Sequence, residues 1–265
     1  MNKLALIVAA AVASSGVFMH LDAQPAAPGA CFLFGATAYP DLQTRDQWMQ
    51  ALDEFEKAHF NVLRVGESSW GNLETAPGQY NFGWLREYLD ELARRRIQAI
   101  LGTSSYNPPQ WLVAKNPDML VELQPGVRVH PMGRKSPALT HPLYREAVRR
   151  YVRALGTAFK DHPAVIGWQL DNEIDIMMDV IDYSETTERA WRGWLKKTFT
   201  TPEEFNRRLF LVSWGQKVDS LDDVPQPRQT AERHDLPALQ LANLRFRRDV
   251  MLDFLLDQAQ VLRQA

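Results

Sequence analysis

Short apolar runs alternate with amphipathic stretches along much of the chain. The runs lie at residues 31–38, 62–66, 97–101 and 164–166, and their lengths suit buried β-strands. Between them, apolar residues recur every three or four positions, which is typical of a helix with one buried face. Strands and helices that alternate in this way form a parallel sheet covered by helices. The pattern therefore predicts four successive β/α units.

The predicted helices have recognisable starts and apolar faces. Thr44 followed by Gln47 is a capping-box signal, and Trp48, Leu52 and Phe55 recur behind it at helical spacing. Further apolar stripes indicate helices between the later strands and after the fourth one. These stripes and helices lie at residues 84–92, 144–159, 188–199 and 202–211 and from 237 onward.

The fourth apolar run leads into a polar, acidic segment, GWQLDNE, at residues 167–173. In parallel barrels the catalytic groups lie at the C-terminal ends of strands, so Asn172 and Glu173 are candidate site residues. Glu67 has the same position after the second strand. The long connection at residues 106–141, rich in Pro and Gly, is typical of a functional loop. The alternative is a strand end that carries solvated acids.

Four β/α units with polar strand ends make up about half of an eight-stranded (β/α)8 TIM-type barrel. Half a barrel leaves two sheet edges and its interior uncovered. We therefore expect residues 24–265 to be the N-terminal portion of a longer barrel, or to need a partner copy. A doubly wound open sheet is the structural alternative, but no Gly-rich phosphate loop follows the first strand.

Composition, net charge and cysteine content limit the kinds of partner and site expected for this protein. Of the 265 residues, 45% are hydrophobic and 23% charged, which fits a globular protein with a substantial core. A net charge of -2 gives no electrostatic reason to expect nucleic acid or an acidic membrane as a partner. The run Arg94-Arg95-Arg96 is interpreted as the solvated last turn of a helix. The single cysteine, Cys31, excludes an intrachain disulfide and a thiolate zinc cluster.

The N-terminus has the pattern of a secretory signal peptide. Lys3 precedes an apolar stretch at residues 4–19, and polar residues follow it up to Ala23, where cleavage is expected. The apolar stretch is too short and too interrupted for a membrane anchor. A lipoprotein with lipid on Cys31 is a weaker alternative, because Cys31 lies far from the apolar stretch. We expect an exported protein, periplasmic or secreted, with no membrane contact after cleavage of residues 1–23.

Several long segments of the chain resemble one known family, the glycoside hydrolase family 42 β-galactosidases. They occur in the family's order over most of residues 33–263. The segments are FGATAYP, NVLRVGESSWGNLETAPGQYNFGWL, ILGTSSYNPPQWL, GRKSPALTHPLYR and HPAVIGWQLDNE. Because these segments are long and chemically unusual, the resemblance is specific.

The resemblance implies a (β/α)8 barrel that hydrolyses terminal β-galactosides with retention. Glu173 matches the family's general acid/base, Asn172 a residue that binds the sugar 2-hydroxyl, and Arg134 a sugar-binding arginine. A retaining glycosidase needs a second carboxylate as nucleophile. In the family that glutamate comes from a late strand, which this chain does not reach. Glu67 and Glu74 follow the second strand and are expected to reach the cleft, where Glu67 would pair with Arg64 or another cation.

Two further features bear on metals and sugar stacking. Many family members carry a cysteine cluster for structural zinc after the acid/base; residues 174–191 contain no cysteine, so we expect no such site and no cofactor. Asp171, Glu173, Asp175 and Asp179 are better explained as one polar face of the cleft than as a cation site. Four aromatic residues are candidates for sugar stacking, although core packing is the stronger interpretation for each. They are Trp70, Tyr106, Trp111 and Trp168.

Three functions follow as hypotheses. The first is an exported β-galactosidase-like glycosidase, represented here by the acid/base half of its barrel, with a β-galactoside as its substrate. The second is a truncated or degenerate barrel that binds carbohydrate without catalysis, and the third is a barrel glycosidase of another sugar specificity. A homo-oligomer is an open alternative, since the resemblance includes trimeric relatives.

Overall fold

A four-stranded parallel sheet forms the centre of the computed structural model. The strands are β1 (Gly35–Thr37), β2 (Val62–Val65), β5 (Gln98–Gly102) and β8 (Val165–Gln169), and they are hydrogen-bonded in the order β1-β2-β5-β8. Each strand is thus a neighbour of the next one along the chain. The structure describes residues 32–134, 136–174, 180–211, 215–228 and 236–265. The expected signal peptide and Cys31 lie outside these ranges.

Helices connect the strands, and two small hairpins lie in the connections. The hairpins pair β3 (Glu74–Ala76) with β4 (Gln79–Tyr80) and β6 (Glu122–Gln124) with β7 (Val127–Arg128). The helices are α1 (Arg45–Lys57), α2 (Trp70–Leu73), α3 (Gly83–Arg94), α4 (Gln110–Lys115), α5 (Pro142–Phe159), α6 (Glu185–Thr198), α7 (Pro202–Arg208) and α8 (Pro237–Gln264).

The predicted β/α alternation is confirmed. Helix α1 begins with the expected capping box, in which the Thr44 hydroxyl accepts from the Gln47 N–H and the Gln47 side chain accepts from the Thr44 N–H. The first strand is shorter than the predicted residues 31–38. It pairs with β2 alone in the described part of the sheet, and Phe32 is 81% exposed. An edge position therefore limits the length of β1.

The main hydrophobic core lies between the parallel sheet and helices α1, α3 and α5. Leu63 and Leu101 contribute from the sheet and Tyr151 from α5, all nearly inaccessible to solvent. Trp70 is fully buried and stacks on Tyr151, with ring centroids 4.8 Å apart. Trp168 is also buried in this core. Core packing is therefore the role of these two tryptophans.

A second hydrophobic cluster lies outside the sheet and joins α6, α7 and the first half of α8. Trp191 and Phe205 are at its centre. Helix α8 contributes Phe246 to this cluster, whereas Phe254 and Leu262 further along the helix pack into the main core against α5. The 28-residue helix therefore holds the helical cluster onto the sheet.

The interpretation of Arg94-Arg95-Arg96 as a solvated turn is wrong for Arg95. Its side chain is only 13% exposed, and its guanidinium contacts Glu91 at 2.6 Å and Asp53 on α1 at 2.7 Å. Arg94 also binds Glu91. An ion-pair network therefore joins α1 to the end of α3.

Glu91 makes the stability of the fold depend on pH. Hydrogen bonds from Arg94 and Arg95 lower the pKa of Glu91 below its ordinary 4.5. The stability that Glu91 contributes to the fold is therefore present above pH 4.5 and is lost as pH falls through the lower pKa of the folded state. We expect Glu91→Gln to reduce the free energy of unfolding by about 1 kcal/mol at pH 7 and by almost nothing near pH 2. Urea unfolding at both pH values measures this, with the exposed Glu54→Gln as control. An equal loss at both pH values would contradict the assignment.

Across the described ranges, no helix is both long enough and apolar enough to cross a membrane.

Candidate active site

The chain turns abruptly after three neighbouring strands of the sheet. Backbone φ angles are positive at Ser68 after β2, at Ser104 after β5, and at Asp171 and Glu173 after β8, with values of 64°, 59°, 58° and 47°. Such angles are strained for residues other than glycine and concentrate at functional sites. Because the carboxyl ends of parallel strands meet at one edge of a sheet, these turns form the floor of one cleft.

Glu67 is the buried anion of this cleft, with its side chain 10% exposed. Arg64 donates to its Oε2 atom, and the Tyr39 hydroxyl donates to the same atom over 2.9 Å. The Asn172 amide donates to Oε1 over 2.8 Å, and the Tyr106 hydroxyl over 3.3 Å. Donors from four parts of the chain therefore hold the carboxylate in one position.

Each of the two tyrosine hydroxyls donates its hydrogen to Glu67. Burial raises the pKa of Tyr39, and its hydrogen bond to Glu67 raises it further. Burial likewise raises the pKa of Tyr106. Both hydroxyls therefore stay protonated across the physiological pH range.

Arg64 connects the ends of three strands. Its Nη1 atom donates to Gln169 Oε1 and to Asn172 Oδ1, each over 2.9 Å, and its Nε atom donates to Thr37 Oγ1 over 3.1 Å. The expected pairing of Glu67 with Arg64 is present. Since Arg64 donates to Asn172 Oδ1 while Asn172 donates to Glu67, the orientation of the Asn172 amide is determined. Among the described residues, one of its two amide hydrogens is used, which leaves the other for a ligand.

Arg134 lies between the two carboxylates of the cleft. Its Nη2 atom is 3.8 Å from Glu67 Oε1 and 3.7 Å from Glu173 Oε2, and its guanidinium lies over the Tyr106 ring at 5.6 Å from the centroid. The side chain is 59% exposed. Arg134 thus brings a positive charge from the long β5–α5 connection to the mouth of the cleft.

Glu173 reaches the solvent-accessible side of the cleft. Its side chain is 53% exposed, and its carboxylate faces Arg134. All five residues predicted for the site, Glu173, Asn172, Arg134, Arg64 and Glu67, are therefore linked by contacts around one cleft. An exposed carboxyl group beside a cation and a fixed amide can exchange a proton with a bound ligand.

Comparison with known proteins identifies the family. The model of glycoside hydrolase family 42, described as beta-galactosidase, matches residues 37–265. The chain belongs to this family.

Individual members of family 42 agree with this result. Over 231 residues, the chain is 32% identical to beta-galactosidase BgaA of a Thermus species. These residues are 87% of this chain and 36% of that protein. A solved beta-galactosidase from Marinomonas ef1 is 32% identical with a TM-score of 0.79, covering 86% of this chain and 35% of that one. A beta-galactosidase from Halorubrum lacusprofundi is 30% identical with a TM-score of 0.81, covering 87% and 34%. The chain therefore spans about a third of the length of these relatives.

The comparisons also establish the fold class. The four β/α units of this family 42 chain are part of a (β/α)8 barrel. The catalytic domain of a beta-amylase from Paenibacillus polymyxa, 12% identical, shares the fold with a TM-score of 0.67, covering 88% of this chain and 63% of that one.

The expectation that the acids after β8 share one polar face is wrong. Strand β8 ends at Gln169, and the left-handed residues that follow break the alternation of side chains. Asp171 is 2% exposed and points into the protein, whereas Glu173 points out. Asp175 and Asp179 lie outside the described residues, and no group of three possible metal ligands occurs within them.

The expectation that Glu74 reaches the cleft is also wrong. Its side chain is fully buried and accepts hydrogen bonds from Trp70 Nε1 over 2.8 Å and from Arg150 on α5 over 2.9 Å. The Trp111 indole donates to the Glu74 carbonyl oxygen over 3.0 Å. Glu74 therefore joins α2 to α5 and does not contact the polar residues around Glu67.

Three residues of the site were not predicted from the sequence. Tyr39 lies two residues after the end of β1, and the rule that polar groups after parallel strands enter the cleft would have indicated it. Gln169 is the last residue of β8 and binds Arg64. Ser68, which hydrogen-bonds the Tyr106 hydroxyl, gave no distinctive signal, because a serine after a strand is common in turns.

Proposed function

We propose that this polypeptide supplies the acid/base half of a retaining β-galactosidase, with Glu173 as the general acid/base. The observation that carries the proposal is the position of Glu173 at the C-terminal end of β8, exposed to the cleft and 3.7 Å from Arg134. Family membership and the names of the matched relatives support a β-galactoside as the substrate.

In the first half of the reaction, Glu173 donates its proton to the glycosidic oxygen. The bond from the anomeric carbon to that oxygen breaks, and a second carboxylate forms a covalent bond to the anomeric carbon. In the second half, the Glu173 carboxylate removes a proton from water, and the water oxygen displaces the enzyme carboxylate. The product is galactose with its original anomeric configuration.

The second carboxylate is proposed to come from another part of the complete barrel. Glu67 is an alternative because it contacts Arg134 as Glu173 does, but its oxygens already accept from Arg64, Tyr39 and other donors. A carboxylate so strongly hydrogen-bonded is a weak nucleophile because attack would break these bonds. Glu67 instead fixes Arg64 and Asn172.

Asn172 and Arg134 are proposed to hold the galactose ring. The remaining amide hydrogen of Asn172 is available to the sugar 2-hydroxyl, and such contacts strengthen in the transition state. Arg134 is proposed to donate to other ring hydroxyls from its position beside Glu173. Both residues would place the glycosidic oxygen within reach of the Glu173 carboxyl group.

Hydrolysis by the purified gene product tests the proposed function. We expect cleavage of nitrophenyl β-galactoside and initial release of β-galactose by proton NMR, with much slower cleavage of the α-galactoside and the β-glucoside. Preference for another β-glycoside would support a different sugar specificity. Galactose binding without cleavage of any glycoside would support a carbohydrate-binding barrel and would overturn the catalytic proposal.

Arg134→Gln is expected to raise KM for nitrophenyl β-galactoside by about 10-fold, with a smaller change in kcat. The reason is that a charge-assisted hydrogen bond to the substrate contributes about 1.5–3 kcal/mol. Steady-state kinetics measures the change, and Arg189→Gln on the exposed face of α6 is the matched control. A loss in kcat at unchanged KM would show that Arg134 does not bind the ground-state sugar.

Export is proposed from the signal-like residues 1–23. N-terminal sequencing of the protein expressed with its own leader should show that cleavage occurs after Ala23. A protein that retains Met1 or Asn2 at its N-terminus would contradict export by this route.

A further inference from the structure

Asp171 is a buried carboxylate directly before the two proposed site residues Asn172 and Glu173. It is 2% exposed and has a φ of 58°. Its Oδ1 atom accepts from the Tyr106 N–H over 2.7 Å, and its Oδ2 atom accepts from the Ser105 hydroxyl over 2.5 Å. A buried carboxylate is costly unless donors surround it, so these bonds fix the side chain in one position.

A second group of bonds joins Asp171 to the distant helix α8. Gln258 on α8 is 1% exposed, and its Nε2 atom donates to Asp171 Oδ2 over 3.2 Å. Its Oε1 atom accepts from the Thr103 hydroxyl over 2.6 Å. The Thr103 oxygen in turn accepts from the Asp171 N–H over 2.9 Å. Asp171, Gln258 and Thr103 thus form a closed ring of hydrogen bonds.

The ring has a defined polarity. Thr103 Oγ1 accepts the Asp171 N–H and gives its own hydrogen to Gln258, so the Gln258 oxygen must face Thr103. The Gln258 nitrogen must then face the carboxylate. Each position therefore requires its particular chemical group, and an amide at 171 would place two donors against each other.

The ring lies where the backbone is strained. Asp171 and Glu173 both have positive φ angles, and such a conformation persists only when surrounding contacts hold it. The loop after β5 binds both the backbone N–H and the carboxylate of Asp171, and α8 binds the carboxylate. The contacts that hold the turn thus come from parts of the chain far from it in sequence.

We propose that Asp171 and Gln258 are positioning residues that fix the turn carrying Asn172 and Glu173. This inference rests on the proposed function, because Glu173 is positioned for the proton transfer assigned to it above. Asp171 fixes the turn through its hydrogen bonds, and Gln258 holds the Asp171 side chain in the orientation that the turn requires.

Exchange of the two groups tests the proposal. In Asp171→Asn the new amide faces the Gln258 nitrogen, and in Gln258→Glu the new carboxylate faces Asp171. The double variant Asp171→Asn with Gln258→Glu restores one donor against one acceptor and keeps the net charge. The backbone amide resonances of Asn172 and Glu173, the Kd for methyl β-galactoside, the Tm and, for the active gene product, kcat and KM are measured for all four proteins.

We expect each single variant to displace the Asn172 and Glu173 resonances and to weaken galactoside binding about fivefold, which corresponds to one lost hydrogen bond. The double variant should recover both properties. In the single variants, kcat should change more than KM. Unchanged resonances in the single variants, or a double variant that restores Tm without restoring the resonances, would overturn the proposal. Should the single variants not fold, the double variant decides it alone, since wild-type resonances support the proposal and failure to fold overturns it.

Failure of the proposed function is a separate outcome. A wild-type protein that neither binds nor cleaves a galactoside refutes that function, while the resonances still decide whether Asp171 and Gln258 fix the turn.

Discussion

Glu173→Gln is expected to lower kcat/KM for an alkyl β-galactoside by about 10²–10⁴-fold. The alkoxide leaving group is strongly basic and needs the proton that we propose Glu173 supplies, whereas a glutamine side chain has no acidic proton. The exposed position of Glu173, 3.7 Å from Arg134, permits a nearly isosteric change without a new buried charge. Steady-state kinetics on the purified gene product measures the effect.

The leaving group provides the internal control for this prediction. A dinitrophenyl β-galactoside needs little protonation, so its cleavage step should be almost unaffected by Glu173→Gln. Glu185→Gln, at a side chain 88% exposed on α6, should leave both substrates at wild-type rates. An equal loss on the alkyl and dinitrophenyl substrates would contradict the assignment of Glu173 as the proton donor.

Arg64→Met is expected to destabilise the fold by about 3 kcal/mol, since it removes the closest ionic partner of a largely buried carboxylate. The Glu67 carboxylate would lose its nearer cation and keep only Arg134 at 3.8 Å, and Asn172 and Gln169 would lose a donor. For a protein of this size, the corresponding fall in Tm is about 6–12 °C. Calorimetry measures the Tm, and urea unfolding measures the free energy.

The double variant Arg64→Met with Glu67→Gln separates charge from packing. Replacing Glu67 removes the anion that has lost its closest ionic partner, so the double variant should recover part of the stability lost in Arg64→Met. Activity should stay low in both proteins because the Asn172 amide is no longer oriented by Arg64. A double variant less stable than Arg64→Met would contradict the view that the lost ion pair causes the instability.

The local part of the fold could be predicted from the sequence. The alternation of strand and helix, the capping box at Thr44 and the polar ends of β2 and β8 depend on residues close together in the chain. The five expected site residues were identified by position after strands and by family resemblance. The parallel sheet then brings them together because successive strands are neighbours.

The direction of the side chains after β8 could not be predicted in this way. The period of two that sorts side chains onto faces applies only while the backbone is extended. It ends at Gln169, and the positive φ of Asp171 turns that carboxylate inward while Glu173 turns outward. Strain of this kind is determined by tertiary contacts, which a local pattern does not contain.

Gln258 was missed for a related reason. It is separated from Thr103 by 155 positions, and in sequence it is one polar residue within a long helix. Leu241, Leu244, Leu252 and Leu256 remain exposed on α8 while Gln258 is buried, so apolar periodicity alone assigns the wrong buried face. The two hydrophobic clusters that α8 joins determine which residues it buries.

Chemical rescue of Glu173→Ala by azide tests the central claim most directly. With dinitrophenyl β-galactoside, this variant should form the covalent intermediate but hydrolyse it slowly, because no base activates water. Azide needs no base, so it should accelerate turnover and yield β-galactosyl azide, which NMR identifies. Formation of α-galactosyl azide would show that Glu173 is the nucleophile, and the absence of both rescue and an azide product would contradict its role as the acid/base.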